Sequence, residues 1–113
     1  YANEINLLEF LEQLVDMFRL QAEARGLDFR HRRADNLPAV VRTDEKRLRQ
    51  ILVNLLSNAI KFTEPGGTVS LSSRVEGQAV VVEVRDTGEG MPLSHATARA
   101  AHTPMAANFV SNR

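Results

Sequence analysis

Cysteine is absent from this chain, and so is any long run of apolar residues. Without cysteine the chain can form neither disulfides nor thiolate metal sites, a composition that fits a reducing compartment. No apolar stretch approaches the roughly 18 residues that a membrane-spanning helix needs, and no secretory signal pattern opens the chain. We therefore expect a cytoplasmic segment without direct membrane contact, whose parent protein is free to be anchored in a membrane elsewhere.

An excess of charge of either sign is also missing, because 14 Lys and Arg balance 14 Asp and Glu. The chain has no net field to attract nucleic acid, and we expect no nucleic-acid partner. Its 113 residues are 43% apolar and 25% charged, the composition of one globular domain with a substantial core. The first residue is Tyr1 rather than Met, so we expect a piece of a longer protein.

Apolar residues at helical spacing predict two amphipathic helices. The first spans residues 5–25 and ends at Gly26, a typical left-handed cap. Its apolar stripe consists of Leu8, Leu11, Leu14, Val15, Phe18 and Ala22. The second helix starts after Thr43 or Asp44 as its N-terminal cap and runs to about Thr63, where residues 64–67 end it with a proline and two glycines.

Alternating apolar and polar residues predict four short strands. They cover residues 27–31, 39–42, 69–75 and 79–85, and the last two form an antiparallel hairpin that turns at residues 76–78. Helices and strands in this order predict an α+β fold, with the helices packed on one face of a mixed or antiparallel sheet. The alanine-rich residues from 93 onward match no clear pattern.

The second helix carries an unusual polar arc. About half of its circumference or more is apolar, and the remaining arc contains Asn54, Asn58 and Lys61. Solvent exposure explains most polar helix faces, but asparagine is a poor helix former, and a purely solvated face would gain from Glu, Lys or Arg. Two amide oxygens one turn apart can meet a hard cation such as magnesium, and the lysine beside them can meet phosphate oxygens.

The last predicted strand leads into Asp86-Thr87-Gly88-Glu89-Gly90-Met91. Strand alternation places Asp86 on the same face as Val80, Val82 and Val84, so its carboxylate points toward the core and needs a donor. The exocyclic amine of a purine is one such donor, and the two glycines would let a ligand approach the backbone closely. Taken alone, this segment is explained more simply as a turn in which Asp86 bonds its own backbone.

Taken together, the two segments resemble the nucleotide-binding boxes of sensor histidine kinases. Residues 48–63 resemble the N box and residues 86–91 resemble the G1 box, and the resemblance covers residues 5–92. The same ATP-binding domain occurs in Hsp90, in the mismatch-repair ATPase MutL and in type II topoisomerases. A lysine and an aromatic residue after the second asparagine favour the histidine-kinase branch.

This resemblance implies a two-layer α/β sandwich that holds a nucleotide between its helices and a flexible lid. It implies the ATP-binding catalytic domain of a histidine protein kinase in a two-component signal-transduction system, with ATP and Mg²⁺ as cofactors. No residue of this chain is expected to be catalytic, because the domain contributes positioning and charge neutralisation to phosphoryl transfer.

The resemblance also assigns roles to residues of both boxes. Asn54 and Asn58 would hold the magnesium ion that bridges the nucleotide phosphates. Lys61 would contact phosphate, and Phe62 would lie where the family carries an aromatic residue beside the nucleotide.

In the G1 box, Asp86 would accept a hydrogen bond from the adenine amine. Gly88 and Gly90 would shape the adenine pocket, and Met91 would supply apolar surface near the base.

The sequence departs from the family pattern after Met91-Pro92. The resemblance predicts a lid with a phenylalanine motif and a second glycine-rich box there, and neither is present. We therefore divide the chain into a partial ATP-binding domain, residues 1–92, and an unmatched tail, residues 93–113. This departure leaves an alternative open, a degenerate, nucleotide-free domain that acts as a protein-interaction or dimerisation module.

The phosphoacceptor is expected outside this chain. His95 and His102 lack the acidic residue and the arginine that follow the receiving histidine in the family. The expected partners are therefore the phosphoacceptor histidine domain of the parent kinase and, further along the phosphorelay, a response regulator. On its own the segment is expected to be inactive, and an open sheet edge predicts self-association.

Overall fold

The structure is a computed structural model that describes residues 3–87 and the backbone of residues 95–101. Its elements are β1 Asn3–Asn6, α1 Leu7–Ala24, β2 Asp28–Arg33, β3 Val40–Thr43, α2 Glu45–Phe62, β4 Thr68–Glu76, β5 Ala79–Asp86 and β6 His95–Ala101. None of the helices within the described residues is long and apolar enough to cross a lipid bilayer.

The strands form one mixed sheet and one small ribbon. The mixed sheet has the order β2-β4-β5-β6, in which β2 is parallel to β4 and the other neighbours are antiparallel. The ribbon consists of β1 and β3 in antiparallel register. Alternate residues of β4 and β5, among them Val69, Leu71 and Val82, join both helices in one apolar cluster. The predicted α+β fold, with helices on one face of a mixed sheet, is therefore confirmed.

The start of the first helix is the main correction to the predicted elements. Residues 3–6 are extended because they pair with β3, and α1 begins only at Leu7. The Asn6 side chain accepts a hydrogen bond from the Glu9 N–H at 3.1 Å and so caps the helix. In this helix Leu7 and Phe10 are buried. Leu8 is 41% exposed, so its predicted place in the apolar stripe of the core is wrong.

The boundaries of α2 agree closely with the prediction. Asp44, rather than Thr43, is the N-terminal cap, and its carboxylate accepts a hydrogen bond from the Arg47 N–H at 3.1 Å. At the other end the Thr63 hydroxyl donates to the Ala59 carbonyl at 2.6 Å. The sequence pattern predicts an apolar face for this helix, and six of its seven residues are buried while Ile51 packs at the margin of the core. These seven are Leu48, Ile51, Leu52, Leu55, Leu56, Ala59 and Ile60.

The hairpin of β4 and β5 also follows the sequence pattern. Glu76 lies opposite Ala79, so the turn contains only two residues, and Gly77 occupies its first position with φ of 61°. A positive φ at this position is what a tight hairpin turn of type II′ requires. The alanine-rich residues that match no clear sequence pattern contribute β6, which pairs with β5.

Candidate functional site

The predicted amide pair lies on the flank of α2 that is turned away from α1. The opposite flank contacts α1, since the Arg49 guanidinium lies 5.0 Å from the centroid of the Phe10 ring. Asn54 and Asn58 follow Arg49 by about 140° and about 180° around the helix axis. Asn54 is exposed and Asn58 is half-buried. Both amides are therefore accessible on a flank that α1 does not cover.

Lys61 and Phe62 end the same helix, and both are exposed. The Lys61 Nζ lies 5.3 Å from the centroid of the Phe62 ring, and the ring residue is 44% exposed. The Lys61 carbonyl accepts a hydrogen bond from Arg25 Nη2 at 3.2 Å, which satisfies one of the free carbonyls at the helix end. A cation and an aromatic face are thus presented together at the C-terminal end of α2.

Asp86 is the last residue of β5 and is only 7% exposed. It lies opposite Val69 in the hairpin, on the face that also carries Val82 and Val84. The prediction that this carboxylate lies on the buried face is therefore confirmed. Gly88, Gly90 and Met91, the remaining predicted residues of this segment, lie outside the described residues.

Gly67 is the point at which the end of α2 meets the end of β5. A Cβ atom on this glycine would lie 2.5 Å from Thr63 Cγ2 and 3.1 Å from Thr87 Oγ1. Thr87 is held in turn by Thr68, whose N–H donates to Thr87 Oγ1 at 2.8 Å and whose carbonyl accepts from the Thr87 N–H at 3.1 Å. Thr87, the residue after Asp86, and Thr63, the residue after α2, thus both lie against Gly67.

Sequence reasoning missed this junction. It treated Gly67 only as part of the signal that ends the helix, and it gave Thr87 no role. The available signal was a glycine doublet between a helix and a strand, because a second consecutive glycine indicates close packing as well as a turn.

Two cavities border this junction. One of about 390 Å³ is lined by residues 64–67 and Thr87. The other, of about 380 Å³, reaches Asp86 and is lined otherwise by Arg30, Arg32, Thr68, Ser70, Arg85 and Thr87. Neither is lined by the predicted residues of α2. The structure therefore brings the ends of α2 and β5 together, but the amide pair does not line the cavity that Asp86 borders.

Comparison with known proteins identifies the family. A protein-family model described as histidine kinase-, DNA gyrase B-, and HSP90-like ATPase matches residues 43–110, more than half of the chain. The chain belongs to this family. The similar proteins described below are histidine kinases or their sensor relatives. The prediction that the chain is a histidine-kinase ATP-binding catalytic domain is therefore confirmed.

Two curated relatives illustrate the similarity. The circadian input-output histidine kinase CikA of Synechococcus elongatus is 58% identical over 60 residues, which cover 53% of this chain and 8% of CikA. The aerobic respiration control sensor protein ArcB of Escherichia coli K12 is 42% identical over 88 residues, which cover 78% of this chain and 11% of ArcB. The chain thus spans about a tenth of the length of these relatives.

Solved structures show the same fold. The catalytic domain of histidine kinase ThkA superposes with a TM-score of 0.72 at 29% identity, covering 81% of this chain and 62% of that domain. ThkA in complex with the response regulator protein TrrA gives a TM-score of 0.69 at 30% identity, covering 80% and 27%. Full-length ShkA in complex with AMPPNP gives 0.69 at 33% identity, covering 80% and 19%.

Proposed function

We propose that this chain binds Mg-ATP as the ATP-binding catalytic domain of a two-component sensor histidine kinase, and presents the γ-phosphoryl group to a histidine outside the chain. The observation that carries the proposal is the packing at Gly67. Thr63, which follows the amide-bearing helix, and Thr87, which follows the buried Asp86, both pack against this glycine. The ShkA structure supports a nucleotide ligand, because that similar kinase was solved with AMPPNP.

The residues of α2 fit a magnesium ion and phosphate. Asn54 and Asn58 supply accessible amide oxygens one turn apart, and magnesium completes its coordination with water and phosphate oxygens. When bound, the ion neutralises charge on the phosphates. In this proposal Lys61, exposed one turn beyond Asn58, contacts phosphate, and the exposed ring of Phe62 packs beside the nucleotide.

Asp86 is the proposed recognition residue for adenine. A buried carboxylate is stable only with hydrogen-bond donors, and the adenine amine adds a charge-assisted bond that a guanine carbonyl at the same position cannot provide. In this proposal Gly88, Gly90 and Met91 complete the pocket around the base, as the resemblance to the family implies.

The partners follow from the same proposal. The phosphoacceptor is a histidine domain of the parent kinase, and the next acceptor in the phosphorelay is a response regulator, the class of protein that is bound to ThkA in its solved complex. The parent is placed in the cytoplasm or at its membrane. Residues 1–92 form the nucleotide-binding part and residues 93–113 a tail, a division that stays a prediction.

Calorimetric titration of the chain with Mg-ADP and Mg-GDP tests the proposal. We expect saturable binding of Mg-ADP, and at least tenfold weaker binding of Mg-GDP. Asp86→Asn should weaken Mg-ADP binding about tenfold or more, because a charge-assisted hydrogen bond becomes a neutral one. Asn58→Ala should weaken binding in magnesium more than in EDTA, and Gln21→Ala on the exposed side of α1 is the matched control.

The alternative function is a nucleotide-free interaction or dimerisation module. Its distinguishing result is no Mg-ADP binding at millimolar nucleotide together with a dimeric mass in light scattering. A monomeric mass at high protein concentration would instead exclude self-association under either hypothesis, the ATP-binding domain or the interaction module. In either case, incubation with Mg-ATP should produce no phosphohistidine on the chain itself.

A further inference from the structure

The face of the mixed sheet that points away from the helices is rich in arginine and hydroxyl groups. The residues that alternate with the core-facing ones include Asp28, Arg30 and Arg32 on β2, Thr68, Ser70, Ser72, Arg74 and Glu76 on β4, and Glu83 and Arg85 on β5. Four arginines thus share this outer face with three carboxylates. These side chains therefore carry one more positive than negative charge, and the distribution of the arginines over the face decides where an anion could bind.

Ser70 lies at the centre of a row that crosses three strands. It is opposite Arg30 on β2 and opposite Arg85 on β5. Neighbouring strands are about 4.8 Å apart, so the two arginine Cα atoms lie about 10 Å apart with the serine hydroxyl between them. All three residues line the cavity of about 380 Å³ described above. An anion of a few ångströms in this cavity is within reach of both guanidinium groups.

Both guanidinium groups are held by carboxylates through a single nitrogen. Arg30 Nε donates to Asp28 Oδ2 at 2.8 Å, and Arg85 Nε donates to Glu83 Oε1 at 2.9 Å. Each bond uses Nε and leaves the terminal nitrogens of that arginine without a partner among the described residues. These nitrogens are the ones that bind oxyanions in a bidentate manner.

Arg32 supplies the surplus charge. It lies two residues along β2 from Arg30, lines the same cavity and is exposed. Within residues 3–87 it makes neither a hydrogen bond nor an ion pair. Arg74, by contrast, is engaged with Glu76 and Glu83 near the hairpin turn, at the other end of this face. Arg32 is therefore a cation at this end of the face without an ion-pair partner among the described residues, although the carboxylate of Asp86 also borders the cavity.

We propose that this cavity is an oxyanion site that binds a phosphate group, with Arg30, Arg32 and Arg85 as the cationic contacts and Ser70 as a hydroxyl donor. Phosphate is favoured over a carboxylate because its tetrahedral oxygens can accept from both sides of the row and from the hydroxyls of Thr68 and Ser70 at once. The cavity also borders Asp86, the proposed adenine-recognition residue, whereas Asn54, Asn58, Lys61 and Phe62 of α2 do not line it. Loss of the phosphate response in Arg32→Gln with Mg-ADP binding retained distinguishes this site from the proposed function.

The experiment is a titration of the ¹⁵N-labelled chain with inorganic phosphate in an amine-free, phosphate-free buffer at constant ionic strength, followed by amide chemical shifts. We expect saturable changes at Thr68, Ser70, Arg85 and Thr87. Arg32→Gln and Arg85→Gln should each weaken binding about five- to tenfold, the range expected for an exposed charge-assisted contact. Arg42→Gln, an exposed arginine of β3 in the other sheet, is the matched control.

Three results would overturn the site. Shifts that grow linearly with phosphate, without saturation, would mean only general ionic effects. Saturable shifts centred on Asn54 and Lys61 would place the phosphate at the proposed nucleotide site instead. Binding of a glutamate-rich peptide with no response to phosphate would make this face a surface for an acidic protein segment, which is a different proposal. Circular dichroism melting curves of each variant verify that the fold is retained.

Discussion

α1 and α2 are both helices of 18 residues with one buried face, yet they differ in what their polar sides contain. The exposed side of α1 consists mainly of glutamate, glutamine and other residues that favour helices, together with the exposed Met17 and Leu20. The polar arc of α2 includes two asparagines and a serine, which weaken a helix. Both helices bury one face, but the polar residues of α2 have the lower helix propensity. This difference indicates that the polar surface of α2 has a role other than stabilising the helix.

The largest expected effect tests whether the two helices are equal in packing. Leu14 in α1 and Leu52 in α2 are both fully buried. Leu14→Ala and Leu52→Ala should each lower the free energy of unfolding by about 2–5 kcal/mol, since each removes buried methyl groups and leaves a cavity. Urea denaturation measures both. A loss below 1 kcal/mol for only one of them would show that the helices do not share one core.

The next effect compares the helix caps. Asn6→Ala and Asp44→Ala each remove a side chain that accepts a backbone N–H at 3.1 Å, and each should cost about 1 kcal/mol. Asp44 should cost slightly more, because its negative charge also favours the helix N-terminus. Thermal melting measures the difference. Asp44→Ser should retain most of the stability, and equal losses for Asp44→Ser and Asp44→Ala would argue against capping.

A smaller change, an increase in the free energy of unfolding, distinguishes the polar side of α2 from that of α1. Asn54→Ala should raise the free energy of unfolding by about 0.5 kcal/mol through helix propensity, while weakening Mg-ADP binding. Gln21→Ala at an exposed position of α1 should change stability less and leave binding unchanged. Paired melting and calorimetry measure both quantities. If Asn54→Ala is destabilising and binds nucleotide normally, the asparagine has a structural role only.

The smallest effect depends on pH and arises on the side of the molecule where β2 packs beside α1. His31 of β2 packs beside α1, and burial, Arg33 and Arg19 lower its pKa below the ordinary 6.5, while Glu12 opposes the shift. Below pH 6.5 the unfolded chain therefore takes up the proton more readily, so the free energy of unfolding falls as the pH decreases through this value. Urea titrations at pH 7.5 and 5.5 measure the loss. His31→Gln should reduce this loss, and an unchanged pH dependence would exclude His31 as its source.

Much of the fold was predictable because its signals are local. The helices show their spacing within a few turns, and the hairpin carries a glycine at its turn. The burial of Asp86 followed from simple alternation along β5. What was missed depends on distant partners, since residues 3–6 form a strand by pairing with β3, and that pairing moves the helix start to Leu7.

The candidate site was predictable in composition and less so in assembly. Asn54, Asn58 and Lys61 could be identified from the helix because they share one arc. The junction at Gly67 could not, since it joins Thr63 and Thr87, which no local pattern connects. The cluster of arginines on the outer face was not predicted either. Alternation indicates that these residues face solvent, but it does not show that Arg30 and Arg85 flank the same serine, Ser70.

The parallel pairing of β2 with β4 has a consequence for the order of folding. The connection between β2 and β4 is the long segment of residues 34–67, whereas β4 and β5 are joined by a two-residue turn. Closing the short loop costs less entropy and happens sooner. During refolding the full-length chain would therefore form the hairpin that ends in Asp86 early, and pair β2 with β4 in the later, slower step.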